Sequence, residues 1–332
     1  MKRWVLPMFA VLALWSGAAG AQREAEIAAK TVRRDVFPQA KVRFPGGVVA
    51  TPQVEIANLD GFRPVQMDVY APSRRAGPRP AVLWVHGGGW SRGDSRTSGA
   101  YADWPRVLAS LAARGFVVAS VDYRLSGEAR FPAQIQDVKA AIRHLRTHAA
   151  ELGVDPARIY LWGGSAGAHL AALAATSCGE QAFAPPPSTG RMERSEIAAL
   201  KATPAGNDCV QGAALWYGVF DLAQVPKVNV AGLLGCDPAA CIETARAASP
   251  LHRVGPGAPP MLLIHGSDDE TVAHAQSAAM VAALRRVGAR AELVTIPGAD
   301  HGWLGATPTA TRDASLLALR RTFDFFESLA KR

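Results

Sequence analysis

Short apolar runs alternate with longer segments of helical periodicity from residue 81 to the end of the chain. The run AVLWVHG (81–87) is followed by a helix-length segment near 98–115, and FVVASVDY (116–123) by a second one at 134–153. Later apolar runs and helical segments continue this pattern at 159–163, 210–218, 261–266, 271–288, 291–298 and 311–332. Such alternation predicts an α/β fold with a mostly parallel central sheet and helices on both faces.

Three segments depart from this alternation. Around Asp60-Gly61, the runs VEIAN and PVQMDVYAP predict an antiparallel hairpin ahead of the parallel strands. Residues 22–50 have no clear period and are predicted to form an N-terminal extension on the domain surface. The proline-rich segment 178–209 is predicted to be a surface excursion. We therefore expect residues 22–332 to form a single domain.

The first residues are typical of a secretory leader. Lys2 and Arg3 precede the uncharged run WVLPMFAVLALW, and the small residues Ala19-Gly20-Ala21 resemble a cleavage site. The alternative is a membrane anchor, but the run is too short to span a hydrocarbon core of about 30 Å. We expect a signal peptide at 1–21, an exported protein in the periplasm or the medium, and no stable membrane insertion after cleavage.

The charge pattern argues against nucleic acid as a partner. The chain carries a net charge of +8, and removal of 1–21 leaves +6 because only Lys2 and Arg3 are charged there. The basic residues are scattered and form no stripe interleaved with aromatic residues. The composition indicates no oligomeric state.

The four cysteines all lie in the C-terminal half, and an even number in an exported protein favours disulfides. Cys236 and Cys241 bracket the short loop CDPAAC, so they are expected to pair, which leaves Cys178 to pair with Cys209. A zinc site is the alternative, but no C-x-x-C or Cys/His cluster supports it. No metal ion or organic cofactor is predicted.

A candidate nucleophile lies in the pentapeptide GGSAG (163–167), which fits G-x-S-x-G. Because the pattern is short and the chain has 31 glycines, a chance match is the alternative. Ser165 follows the apolar run IYLWG and precedes a helical segment, as a strand–turn–helix nucleophile requires. The Ala166 N–H would then start the helix and face an oxyanion.

A glycine-rich loop, HGGGW (86–90), follows another predicted strand. Gly88 and Gly89 leave their backbone N–H groups uncovered by side chains, so they can donate to a developing oxyanion. A phosphate-binding loop is the alternative. Neither G-x-G-x-x-G nor the P-loop lysine pattern occurs in this segment, which argues against it.

Candidate acids and a base follow the last two strands. The segment HGSDDETV (265–272) offers Asp268, Asp269 and Glu270, and GADHGW (298–303) offers His301. The order serine, acid, histidine is the one expected for a hydrolase of this topology. These parts together predict that Ser165 is a nucleophile with His301 as its base.

The remaining aromatic and histidine residues have simpler interpretations. His169, one turn after Ser165, is expected to be a hydrogen-bonded core residue, and His86 and His265 to be structural. Trp90 is expected either to pack under the glycine-rich loop or to line an acyl pocket. Trp303, next to His301, is expected to contact substrate.

The motifs HGGGWSRGD, DYRL, DPARIYLWGGSAGAHLA, SPLHRV and HGSDDETV resemble those of α/β-hydrolase esterases over roughly residues 54–330. The likeness is to the BD-FAE-type branch of feruloyl and acetylxylan esterase-like proteins, near the hormone-sensitive-lipase-like group. It implies Ser165 as nucleophile, His301 as base and Asp269 as acid, since H-G-x-x-D-x-x-V aligns on that aspartate. It also implies oxyanion donors at Gly88, Gly89 and Ala166.

The expected function is therefore that of an exported serine carboxylesterase working through an acyl-enzyme. Short acyl or hydroxycinnamoyl (feruloyl) esters, free or linked to a polymer, are the expected substrates. Two alternatives remain open: an amidase with the same triad, as in kynurenine formamidase-like proteins, and a binding module on an inactive hydrolase scaffold.

Overall fold

The computed structural model describes residues 40–74, 77–188 and 207–331. The predicted signal peptide and most of the predicted extension lie outside these residues, as does the middle of the predicted excursion. The described strands and helices all belong to one compact unit that begins at Lys41.

One twisted sheet runs through the described body. Its nine strands, in chain order, are β1 (Val42–Phe44), β2 (Val48–Ala57), β3 (Val65–Pro72), β4 (Arg79–Val85), β5 (Val117–Asp122), β6 (Val154–Gly164), β7 (Ala213–Trp216), β8 (Met261–Gly266) and β9 (Ala291–Ile296). Their spatial order is β1-β2-β3-β5-β4-β6-β7-β8-β9. Strands β4 to β9 pair in parallel, whereas β1, β2 and β3 pair antiparallel to their neighbours. The predicted fold class is confirmed.

Helices cover both faces of the sheet. In chain order they are α1 (Trp104–Ala112), α2 (Ala133–Thr147), α3 (Ala149–Leu152), α4 (Ala166–Thr176), α5 (Val230–Leu234), α6 (Ile242–Ala248), α7 (Ala275–Arg286) and α8 (Pro308–Ala330). One buried core lies on the side of α2, α4 and α7, and includes Ile142, Leu170 and Met280. The other lies on the side of α1 and α8, and includes Trp104 and Phe326. In α2 the apolar residues Ile135, Val138, Ile142 and Leu145 recur at helical spacing, and all four are fully buried.

The prediction of a surface extension up to residue 50 is wrong for its last part. Residues 42–50 form β1 and the start of β2, and the side chains of Val48 and Ala50 are buried against the sheet. Within this stretch only Val48, Val49 and Ala50 alternate between buried and half-buried positions, and the pairing of β2 shifts register after Thr51. Three residues are too few for the alternation of a strand to be evident in the sequence.

The base of the predicted excursion is held by its cysteines and by one buried carboxylate. Cys178 and Cys209 lie within disulfide distance, with Cα atoms 4.6 Å apart. Next to them Asp208 is fully buried and accepts hydrogen bonds from the Gly179 N–H and from Arg143. Cys236 and Cys241 are the second such pair, at 6.3 Å between Cα atoms.

Within residues 40–74, 77–188 and 207–331, no helix has both the length and the apolar character needed to cross a bilayer. The same residues contain no cluster of His, Cys, Asp and Glu suited to a metal ion.

Candidate active site

Ser165 lies at the sharp turn between β6 and α4, at the carboxyl edge of the parallel strands. Its backbone has φ 55° and ψ −120°, an unfavourable conformation for a residue with a side chain. The flanking glycines make the turn possible because nothing larger fits. A Cβ on Gly163 would lie 2.4 Å from Gly167 O, and one on Gly167 would lie 2.0 Å from Val85 O. The glycines are thus required by close backbone approach.

His301 connects the serine to an acid. Its Nε2 is 3.0 Å from Ser165 Oγ, and its Nδ1 is 2.8 Å from Asp269 Oδ2. The carboxylate can only accept, so Nδ1 carries the proton and Nε2 is left to accept from the serine hydroxyl. The three residues come from the loops after β6, β8 and β9. This is the geometry that a nucleophile, a base and an orienting acid require.

Asp269 is held in its ionised form. Its Oδ1 accepts the N–H groups of Thr271 and Val272, at 3.0 and 2.8 Å. Burial alone would raise the pKa of this carboxyl, but hydrogen bonds from His265 and His301 outweigh burial and hold the pKa well below its usual range. Asp268, by contrast, accepts from Ser267 Oγ and does not face His301.

The glycine-rich loop after β4 places uncommitted donors beside the serine. Gly88 and Gly89 have φ of 107° and 60°, which side-chain-bearing residues rarely adopt. In the part of the chain that the structure describes, the N–H groups of Gly88, Gly89 and Ala166 donate to no other group. A Cβ on Gly87 would lie 2.9 Å from Gly164 O, so this loop packs directly on the turn of Ser165.

His86 braces that loop. Its Nδ1 is 2.8 Å from Gly87 O, and its ring stacks on Tyr123 with centroids 4.2 Å apart. Burial lowers the pKa of His86, so the ring is neutral and Nδ1–H donates to the carbonyl. His169 is equally structural: it accepts from Trp90 Nε1 at 3.1 Å and its Nε2 donates to Ala248 O at 2.8 Å.

A cavity of about 760 Å³ opens onto these groups. Its walls include Gly88, Gly89, Ser165 and His301. Tyr217 and Tyr101 supply aromatic surface, and the ring of Tyr217 lies 4.7 Å from that of His301. The remaining wall is mostly polar and glycine-rich.

Trp303 does not line the cavity as expected, and Trp90 packs under the glycine-rich loop, which is the first of its two predicted alternatives. Both side chains are completely buried. Trp90 lies in the core beneath the loop, where its Nε1 donates to His169. Trp303 packs on Trp216 and Tyr217, with ring centroids 5.4 and 4.6 Å away. Tyr101 and Tyr217, and not these two tryptophans, line the cavity. Tyr217 follows strand β7, and that position at a strand end was the one available signal for it.

The sequence and fold of the chain match known esterases. The BD-FAE family profile matches residues 67–284. The chain is 35% identical over 246 residues to "Esterase LipQ" of Mycobacterium tuberculosis, and 29% identical over 248 residues to a "Probable isoprenylcysteine alpha-carbonyl methylesterase" of Arabidopsis thaliana. These matches cover 71% of the chain, which spans about half the length of the curated relatives: 53% and 48%.

Two solved structures cover more of the fold. A "Truncated form of carbohydrate esterase from gut microbiota" superposes with a TM-score of 0.67 at 26% identity, over 85% of this chain and 96% of that one. Esterase 2 of Thermogutta terrifontis superposes with a TM-score of 0.64 at 28% identity, over 86% of this chain and 93% of that one. The family resemblance is confirmed, and the chain belongs to the BD-FAE family of α/β-hydrolase-fold proteins.

Proposed function

We propose that this protein is a carboxylic-ester hydrolase that works through an acyl-enzyme on Ser165. The observation that carries the proposal is the chain of contacts from Ser165 Oγ to His301 Nε2 at 3.0 Å and from His301 Nδ1 to Asp269 Oδ2 at 2.8 Å. His301 takes the serine proton as Oγ attacks the ester carbonyl, and then passes it to the leaving alcohol. Asp269 keeps the ring oriented and stabilises the imidazolium.

The free N–H groups of Gly88, Gly89 and Ala166 are proposed to hold the tetrahedral oxyanion. Ala166 is also the first residue of α4, so its N–H lies at the positive end of the helix dipole. A water molecule then repeats the attack on the acyl-enzyme, with His301 again as base. Loss of one such donor costs a factor of about 10²–10³ in kcat in a comparable site.

The acyl group in this proposal is short or hydroxycinnamoyl. The names of the relatives include a carbohydrate esterase and an alpha-carbonyl methylesterase, which are both ester hydrolases. Tyr101 and Tyr217 offer aromatic surface to a feruloyl group, whereas the glycine-lined space at Ser165 suits an acetyl group. We further propose that the protein is exported and that its two cysteine pairs are oxidised.

The test measures kcat/KM for p-nitrophenyl acetate, butyrate and octanoate and for methyl ferulate, with Ser165→Ala as the blank. We expect ester turnover that falls by at least about a thousandfold in Ser165→Ala while the fold is retained. An active Ser165→Ala protein would refute the nucleophile. Faster cleavage of N-formylkynurenine than of every ester would favour the amidase alternative. Failure of the wild type to react with a fluorophosphonate would favour an inactive binding module.

A further inference from the structure

Two cationic side chains line the cavity that opens onto Ser165. Arg92 follows the glycine-rich loop, and Lys227 belongs to the segment between β7 and α5. Both side chains are exposed, and neither has an ion-pair or hydrogen-bond partner among the described residues. A Cβ on Gly88 would lie 3.1 Å from Arg92 Cγ, which puts the arginine stem directly against the proposed oxyanion loop.

No carboxylate belongs to the described part of the cavity wall. Asp94 and Asp300, which each adjoin a residue of the cavity wall in sequence, accept backbone N–H groups. Asp94 Oδ1 accepts the N–H of Arg96, and Asp300 Oδ1 accepts the N–H groups of Glu270 and His301. Several other surface arginines pair with acids, as Arg63 does with Glu128 and Arg114 with Glu327. Arg92 and Lys227 therefore line the cavity with no ion-pair partner among the described residues.

We propose that Arg92 and Lys227 bind an anionic group of the substrate, so that the preferred esters carry a carboxylate in their alcohol or acyl part. The inference rests on the proposed ester hydrolysis at Ser165 and names its substrate class. Two cations in a concave wall concentrate anions by long-range attraction, and a guanidinium also fits a carboxylate with two parallel hydrogen bonds. Neutral esters lack this contribution.

The experiment compares ester pairs that differ in charge but little in shape. For the alcohol part the pair is 4-acetoxybenzoate and 4-acetoxybenzamide, and for the acyl part it is phenyl hydrogen adipate and phenyl hexanoate. The measured quantity is the ratio of kcat/KM for the anionic ester to that for the neutral ester, at low and at high salt. We expect a ratio above one in at least one pair, falling as salt rises because the charges are exposed.

The variants are Arg92→Gln, Lys227→Gln and the double variant, with Arg286→Gln as the matched control. Arg286 is an exposed arginine on α7 with no ion-pair partner among the described residues and no place in the cavity wall. We expect the double variant to lower the ratio about three- to tenfold and Arg286→Gln to leave the ratio unaltered.

A second measurement does not depend on turnover. In the Ser165→Ala background, calorimetric titration compares the Kd of the anionic ester with that of the neutral ester in each of the two pairs, with and without the double substitution. Tighter binding of the anion that is lost in the double variant supports the inference even if hydrolysis fails. Equal binding in both pairs, or a preference that survives the double substitution, overturns it. Turnover of neutral esters with no charge preference would overturn this inference alone and leave the proposed hydrolase intact.

Discussion

His265 Nε2 lies 3.2 Å from Asp269 Oδ2, the same oxygen that lies 2.8 Å from His301 Nδ1. His265 is fully buried at the end of β8, where its Nε2 is also 2.9 Å from Val272 O and its Nδ1 is 2.7 Å from Ser277 Oγ. Nε2 faces only acceptors, so it carries the proton and Nδ1 accepts from the serine hydroxyl. His265 thus donates a hydrogen bond to the carboxylate of Asp269, the proposed acid, and helps to hold it in the orientation that His301 requires.

Removing this support is expected to slow the reaction. In His265→Ala the carboxylate of Asp269 loses a hydrogen bond to a charged group, worth about 1.5–3 kcal/mol, and with it part of its orientation. We expect kcat to fall about tenfold or more with KM little changed, and His265→Gln to restore part of the loss because its amide can donate. Steady-state kinetics at pH 7 checks this, with thermal unfolding to confirm folding.

The matched control for His265 is His252→Ala. His252 is a partly exposed histidine that lies near Asp221 and not near Asp269. A folded His265→Ala protein with kcat within twofold of wild type would show that Asp269 is positioned without this histidine.

The two neighbouring aspartates are expected to differ sharply. Asp269→Asn removes the charge that orients His301 and leaves the ring free to adopt the wrong tautomer, which in the serine protease triad costs about 10⁴ in kcat. Asp268→Asn is its control, because that side chain contacts Ser267 Oγ instead. We expect Asp268→Asn to stay within a few fold of wild type in kcat/KM for p-nitrophenyl acetate. The reverse ranking would move the acid to Asp268.

The sequence predicted the parallel sheet, the helices on both faces and the family because each rests on local patterns. Alternating strand and helix periods are visible in single segments, and G-x-S-x-G with HGGGW is a specific pair of motifs. The chain order also placed Ser165 and His301 at strand ends of a common sheet edge. The structure then brings them within 3.0 Å.

The cavity wall could not be predicted in the same way because it depends on which side chains fold inward. Trp303 is two residues after His301, but the intervening Gly302 has φ 74°, and the indole turns into the core against Trp216. Trp90 turns inward under its loop for a similar reason, with φ 58°. Arg92 and Lys227 are far apart in sequence and carry no motif, so only the fold brings them to one cavity.

Buried His169 is expected to make stability depend on acid. Burial lowers the pKa of His169 from 6.5 to about 4. Between these two pH values the imidazole is protonated in the unfolded chain but neutral in the folded chain. Its contribution to stability is therefore complete above pH 6.5 and is lost as pH falls toward 4. The largest slope for one proton is about 1.4 kcal/mol per pH unit.

His169→Gln tests this, because glutamine can still accept from Trp90 and donate to Ala248. We expect the free energy of unfolding, measured by urea titration, to fall less steeply between pH 6.5 and 4.5 in the variant than in the wild type. The slopes of the two proteins should agree above pH 7, which serves as the internal control. Equal slopes throughout the acid range would show that His169 is protonated in the folded protein.

The turn at Ser165 is expected to tolerate no side chain at Gly163. A Cβ there would lie 2.4 Å from Gly167 O and 2.7 Å from Ala168 N, and both are backbone atoms that cannot swing away. Gly163→Ala should therefore cost about 3 kcal/mol of unfolding free energy and shift Ser165 away from His301. A displacement of about 1 Å at a reacting group can reduce kcat/KM about 100-fold.

Gly127→Ala is the control, since a Cβ at that exposed position meets no atom within 4 Å. Urea unfolding and p-nitrophenyl acetate kinetics on both variants decide the matter. A Gly163→Ala protein as stable and active as Gly127→Ala would mean that the turn does not depend on close backbone approach.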